Sequence, residues 1–116
     1  MDIYHIWSDL KPSVRDTEFT TSATQHLDGL KHNETLVTYR ITRRKLGLGP
    51  NDIGEFHLML EFANLTQLDA AFTKVATREE PLESFHQSVN ALVTNVRFAL
   101  YRDHHDSFRR TGEEKF

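Results

Sequence analysis

From Phe56 to Phe62 the chain reads FHLMLEF, with a large apolar side chain at every second position and a histidine, a methionine and a glutamate between them. Only extended backbone sends alternate side chains to opposite faces. This segment is therefore a strand with one greasy face (Phe56, Leu58, Leu60, Phe62) and one mixed face (His57, Met59, Glu61). The first face needs cover, and the second needs an explanation.

The neighbouring segments supply partners in a restrictive order. Ile3 to Leu10 alternates Tyr4, Ile6, Ser8, Leu10 against Ile3, His5, Trp7, Asp9 and reads as a first strand ended by Pro12. Ser13 is a candidate N-cap, with Asp16 and Glu18 in the first turn, where acids suit the helix dipole. Phe19, Ala23, Leu27 and Leu30 then draw one apolar stripe at helical spacing, and Asn33 is placed to close the helix in a left-handed conformation. The β-branched and aromatic run TLVTYRITRRKL, residues 35–46, predicts a second strand. GLGPNDIG predicts a hairpin loop before the third strand, Glu55 to Phe62. Thr66 and Asp69 have capping-box spacing, and Leu68, Ala71, Phe72, Val75 and Ala76 trace a second helix. Pro81 interrupts that pattern; Leu82, Phe85, Val89, Leu92 and Val93 restart it, as a kinked continuation or a separate helix. Val96 to Asp103 predicts a final strand, and the polar residues from about 104 to 116 read as a tail, with Phe108 and Phe116 its apolar members.

The order β-α-β-β-α-β predicts an α+β, ferredoxin-like fold, a four-stranded antiparallel sheet with helices on one face, in a single domain spanning 1–116. The opposite face, with Ile3, Trp7, Tyr39, Met59 and Tyr101 counted among its candidates, is too apolar to meet water as a broad patch. Hiding about 600 Å² of it yields on the order of 15 kcal/mol gross, before association costs. A second copy is the expected cover, so the chain is expected to be a homodimer whose sheets pack face to face around a barrel-like space.

Composition excludes several classes. With no cysteine there are no disulfides, thiolate metal sites or cysteine nucleophiles, so any chemistry uses oxygen and nitrogen groups. A formal net charge of −3 argues against nucleic acid as a partner. The start MDIYHIWSDL has neither a basic segment nor a long apolar one; a cytoplasmic protein without a membrane partner is the expectation.

Several motifs carry a family resemblance. HIWSDLKPSVRDTEF resembles the opening of stress-responsive dimeric α/β-barrel domains, in which a strand bearing a histidine runs into a Lys-Pro turn and the first helix. TRRKLGLGP, GEFH, FALYRD and GEEKF look similar to a group of uncharacterised bacterial proteins of that superfamily. The resemblance spans the chain in layout and implies a homodimer with a pocket between sheet and helices or inside the barrel. The superfamily includes cofactor-free monooxygenases, polyketide cyclases, haem-handling enzymes and proteins without known activity, so function transfers weakly. Lys11-Pro12 stands one residue closer to His5 than in the usual pattern, which leaves Tyr4 and His5 as alternatives for the family's histidine position. EEPLESFHQSV does not reproduce the His-Pro-x-x-His stretch of the cyclase-like members.

If Phe56, Leu58, Leu60 and Phe62 face the helices, alternation sends His57, Met59 and Glu61 to the dimer side, and with them His5, Trp7 and Asp9 of the first strand. His57 and His5 are the candidate catalytic groups, since a histidine near neutrality is a workable general base. His57 and Glu61 lie about 13 Å apart along the strand and each needs another partner. His5 and Arg40, or Tyr101 and Arg97, are the candidates on neighbouring strands. Trp7, Arg40, Met59, Glu61, Arg97 and Tyr101 form the expected ligand pocket, suited to a small aromatic or polyketide-like molecule. The plainer reading is that these side chains fill the barrel and fix the register of two subunits. TRRKLGLGP resembles a phosphate loop in composition but leads into a strand, not a helix N-terminus, and reads as a solvated hairpin with edge charges. Asp103, His104, His105 and Asp106 lack metal-ligand spacing, and His86 reads as an exposed helix residue. No metal or cofactor is expected; haem on one pocket histidine is an option the resemblance leaves open. The expected function is small-molecule binding. The alternatives are a cofactor-free monooxygenase- or cyclase-like enzyme using His57 and His5, and a structural dimer without catalysis.

Overall fold

A computed structural model describes residues 1–77, 87 and 89–105, without the side chain of residue 75. In chain order the elements are β1 (Asp2–Leu10), α1 (Asp16–His32), β2 (Thr38–Arg43), β3 (Phe56–Phe62), α2 (Leu65–Ala76) and β4 (Val93–Arg102). The strands form one antiparallel sheet in the order β2-β3-β1-β4. This is the expected ferredoxin-like arrangement. Gln87, Val89 and Asn90 are helical, while Pro81, Leu82, Phe85, His86, Asp106, Phe108 and Phe116 lie outside the described residues.

Burial follows the alternation. Along β3, Phe56, Leu58, Leu60 and Phe62 are buried and the residues between them half-buried. The α1 stripe of Phe19, Ala23, Leu27 and Leu30 is buried against them, with Leu36, Leu68, Ala71 and Val93 completing the core. Tyr4, Ile6 and Leu10 pack on this core, so β1 turns its even-numbered residues to the helices.

Several boundaries differ from the sequence reading, each for a local reason. Ser13 is not the N-cap: it takes φ 71 in the turn closed by Val14 N–H donating to the Lys11 carbonyl, and Arg15 holds the cap position. Asn33 ends α1 at φ −82, and Glu34 is the left-handed residue. The β-pairing of β2 is confined to Thr38–Arg43, because Thr35 and Leu36 are consumed in the buried turn from α1. The cap of α2 is set by Asn64 and Gln67 instead of Thr66 and Asp69: Asn64 Oδ1 accepts from the Gln67 N–H, and Gln67 Oε1 accepts from the Ala63 N–H. β3 begins at Phe56 and β4 three residues earlier than expected.

The early start of β4 has a cause in its bulge. Trp7 pairs with Arg97 but Asp9 with Thr94, so Asn95 and Val96 together oppose Ser8, and Asn95 takes φ 53. Val93 and Val96, three apart, thereby share the helix side. Asp9 holds the distortion: its carboxylate accepts from the Glu55 N–H at 2.9 Å and from Asn95 Nδ2 at 3.1 Å. Those hydrogen bonds, the Glu55 N–H first, keep the Asp9 carboxyl below the ordinary value of 3.8.

The β2–β3 hairpin is stapled twice. Arg43 bonds Asp16 at 2.8 Å and Glu55 at 3.2 Å and lies over the Phe56 ring. The Arg44 guanidinium turns inward and donates to the carbonyls of Pro50 and Ile53, holding a loop in which Leu46 and Gly47 are both left-handed. Gly54 is a steric necessity: a Cβ there would fall 2.6 Å from the Ser8 Cα and nearer still to the Ser8 carbonyl.

Two outcomes follow from this packing. Gly54→Ala forces β1 and β3 apart at their ends and lowers stability by about 2 kcal/mol or more, read as a shifted urea midpoint at unchanged slope. Asp9→Ala costs about 1 kcal/mol at neutral pH. Because the folded Asp9 pKa is depressed, that contribution is present above the ordinary carboxylate pKa and is lost as pH falls through the folded value, so wild type and variant converge in acid.

Candidate functional site

Antiparallel register aligns the outer sheet face in three rows. Thr38, Glu61, Ile3 and Tyr101 form one; Arg40, Met59, His5 and Ala99 the next; Thr42, His57, Trp7 and Arg97 the third. All eight candidates, His5, Trp7, Arg40, His57, Met59, Glu61, Arg97 and Tyr101, therefore share this face. The alternation of β1 and β3, both packed on the helices through the opposite residues, is what brings them together.

Within it a tighter group forms. His5 Nδ1 and His57 Nε2 are 2.7 Å apart, a diagonal contact between neighbouring strands. The ring centroids are 5.0 Å apart with planes 24° from parallel, so the imidazoles meet nitrogen to nitrogen. Trp7 lies parallel to His57 at 4.6 Å and to His5 at 5.5 Å, and Tyr101 packs edge-on against His5 at 4.9 Å. Burial holds both imidazoles below the ordinary histidine value of 6.5, and for His57 the nearby His5 adds to it. At neutral pH the pair is uncharged, one contact nitrogen donating and the other accepting; the far nitrogen of the donating ring is then bare and can take a proton, while that of the accepting ring already carries its N–H. His57 and Glu61 stand in different rows, and it is His5, not Glu61, that partners His57. Arg40, Arg97 and Tyr101 are the more exposed members.

Two hollows lined by described residues lie away from this group. An apolar cavity of about 380 Å³ sits on the opposite side of the sheet, beneath α2. Its walls include Tyr4, Ile6, Leu58, Leu60, Phe72, Val96 and Phe98, and none of its described lining residues is charged. Tyr4 packs edge-on against Phe72 at 5.1 Å and parallel to Phe98 at 5.8 Å, and burial pushes its hydroxyl pKa up. Sequence reasoning placed Tyr4, Ile6, Leu58, Leu60 and Phe72 on the helix side; a pocket between sheet and helices was implied by the family resemblance alone, not by these residues. Alternation says which side a residue faces, and whether that side is filled depends on side-chain volumes across the layer. A second, polar groove of about 750 Å³ runs between α1 and the edge strand β2, lined by Thr17, Thr20, Thr21 and Thr24 and touched by Arg40. Tyr39, expected on the outer face, turns to this groove and donates to Asp28, its pKa pushed up to about 12 by burial and by that carboxylate.

Among the described residues no group of three or more His, Asp or Glu side chains is placed to hold a metal ion, and no helix is long and apolar enough to cross a membrane. Asp103 is engaged by the N-terminal amine at 3.1 Å.

The fold recurs in solved structures. A protein of Arabidopsis thaliana superposes with a TM-score of 0.72 at 8% identity, covering 89% of this chain and 95% of its own. A dimeric ferredoxin-like protein of unknown function from Jannaschia sp. CCS1 gives 0.64 at 15% identity, covering 89% and 100%. A candidate antibiotic biosynthesis monooxygenase of Deinococcus radiodurans gives 0.59 at 14% identity, covering 89% and 92%. No curated protein matches the chain. The chain belongs to a family of unknown function, DUF6614, whose model matches residues 1–116.

The state of the imidazole pair is directly measurable. In an NMR titration the ring signals of His5 and His57 move with midpoints below 6.5. Their depressed values mean that stability is complete above about 6.5 and declines as pH falls through those midpoints. A His5→Phe/His57→Phe double variant loses most of that decline.

Proposed function

We propose that this DUF6614 protein is a homodimer, joined through the outer sheet face, that binds a small uncharged aromatic or polyketide-like molecule. The observation that carries the binding reading is the apolar cavity of about 380 Å³ beneath α2. That volume lies within the range of small-molecule pockets, and described lining residues that are all uncharged favour a neutral ligand over a carboxylate or phosphate. The Tyr4 hydroxyl and the neighbouring Ser8 and Asn90 supply polar atoms that would orient it. The space between the two sheets, where the expected pocket of Trp7, Arg40, Met59, Glu61, Arg97 and Tyr101 would lie, is the alternative location.

The dimer is supported by the character of the outer face. Ile3, Trp7, Met59, Ala99 and the two stacked histidines form an apolar centre, with Arg40, Arg97 and Glu61 around it. An apolar core inside a charged rim is the usual anatomy of an interface, and the Jannaschia relative is itself dimeric.

A second reading, a cofactor-free proton-transfer enzyme of the monooxygenase or cyclase kind, is favoured by one observation, the uncharged His5–His57 pair at 2.7 Å. A hydrogen-bonded imidazole with a depressed pKa is free to accept a proton at neutral pH. In that reading His57 and His5 are the acid-base groups; in a purely structural dimer they are packing.

Light scattering at micromolar concentration is expected to return twice the 13.5 kDa of one chain, and Met59→Glu to return one chain. Mass spectrometry of the denatured protein is expected to reveal a neutral copurifying molecule, and Val96→Trp, which fills the cavity, to abolish its retention without changing the dimer. Retention that survives Val96→Trp but not Trp7→Ala would move the ligand to the space between the sheets. Turnover lost on His57→Gln with dimer and melting point unchanged would establish the enzyme reading.

A further inference from the structure

We propose that the dimer is released by acid, with the His5–His57 pair as its sensor. This rests on the dimer reading above and concerns the same sheet face. The contact at 2.7 Å requires one imidazole N–H and one bare nitrogen. The pair therefore tolerates no proton or one. A second proton sets two N–H groups of two cations against each other at hydrogen-bonding distance.

The surroundings make even the first proton costly under a covering subunit. The neighbours of the pair are the rings of Trp7 and Tyr101 and, in the adjoining register positions, Met59 and Ala99. Among the described residues, the other titratable or charged groups facing it come from every strand: Asp9 on β1, Arg40 on β2, Glu61 on β3, Arg97 and Tyr101 on β4. Asp9 is already committed to the Glu55 N–H and Asn95. Arg40 and Arg97 add positive charge, leaving Glu61, one row away opposite Ile3, as the remaining carboxylate among the described residues. In a single chain the two imidazoles are half-buried, and water still solvates an imidazolium there. A second copy laid on the face removes that water and brings an identical pair with it, so protons bind the separated chains more readily than the dimer. By linkage, protonation then drives dissociation.

The test is sedimentation from nanomolar to micromolar concentration at pH 7.5 and pH 5.0, with far-UV circular dichroism at both. The dissociation constant is expected to rise at least tenfold at pH 5.0, with the circular dichroism unchanged. His57→Phe, which keeps the ring and discards the titration, is expected to remain dimeric and to reduce the change to less than threefold; His57→Gln is the second variant should the first not fold. The fluorescence of Trp7, the single tryptophan of the chain, gives an independent readout of the same step. A chain monomeric at pH 7.5 removes the dimer reading and the sensor with it. A dimer at pH 7.5 whose affinity moves less than threefold, or that stays associated at both pH values down to the lowest concentration, removes the sensor alone. Release accompanied by loss of the circular dichroism signal also overturns it, since that is unfolding, as does an unaltered pH dependence in the His57 variants.

Discussion

A four-stranded sheet has two faces, and the described helices of this chain pack on one of them. That asymmetry organises the rest of the molecule. Phe56, Leu58, Leu60 and Phe62 bind the sheet to α1 and α2, and strict alternation then obliges His57, Met59 and Glu61 to face the other way. The residues that secure the fold and those available for recognition are thus interleaved along the same strand. A shift of one residue in register would exchange them. The register is pinned at one end of the sheet by the Asp9 carboxylate on the Glu55 N–H and by the close approach of Gly54 to Ser8. Polar chemistry at that edge is therefore as necessary to the outer face as apolar packing is to the inner one.

Much of this was legible in the chain itself, because a period of two and a period near 3.6 are written directly in side-chain polarity. The β3 alternation and the α1 stripe were each read correctly from single residues, and so was the facing of β1. What escaped was set by contacts between distant segments. Val93 and Val96 share a face only because a bulge opposite Ser8 absorbs one residue, and no local pattern announces a bulge held by a carboxylate 86 positions away. Two helix starts were misplaced for a related reason: Ser13 and Thr66 both have good capping chemistry, but the turn from β1 and the Asn64–Gln67 exchange decided where the backbone could close, while Asn33 does end α1 and the left-handed turn falls on Glu34. The candidate site was legible as a face and not as a set of contacts. Diagonal pairing of His5 with His57 depends on which strands are neighbours, which follows from topology and not from either strand's sequence.

The two halves of the chain's chemistry lie on opposite sides of one sheet. The imidazole pair, Trp7 and Tyr101 are outward; the cavity with Tyr4, Phe72 and Phe98 is inward. Adjacent residues of β1 serve both, Tyr4 beside His5 and Ile6 beside Trp7, with a single thickness of backbone between them. A change in what covers the outer face acts on the same strand that walls the cavity. On the proposed reading, coupling between assembly and binding would need no long route, only a small displacement of β1 along or across the sheet.

The two edges of the sheet differ in how they meet this requirement. On β2, Arg43 is tied down to Asp16 and Glu55 while Arg40 is exposed, so this edge carries charge that disfavours pairing with another strand. On β4 the edge is twisted by the Asn95 bulge at one end and clasped at the other by Asp103 bonding the N-terminal amine. With both edges defended in this way, edge-to-edge growth of the sheet is the unfavourable mode of association. Face-to-face contact, the mode proposed above, is the one that would bury Trp7, Met59 and the histidines together. In the proposed dimer an interface so placed inherits the titration of whatever it covers, and a polar pair at its centre would make assembly a function of pH instead of a fixed property of the fold.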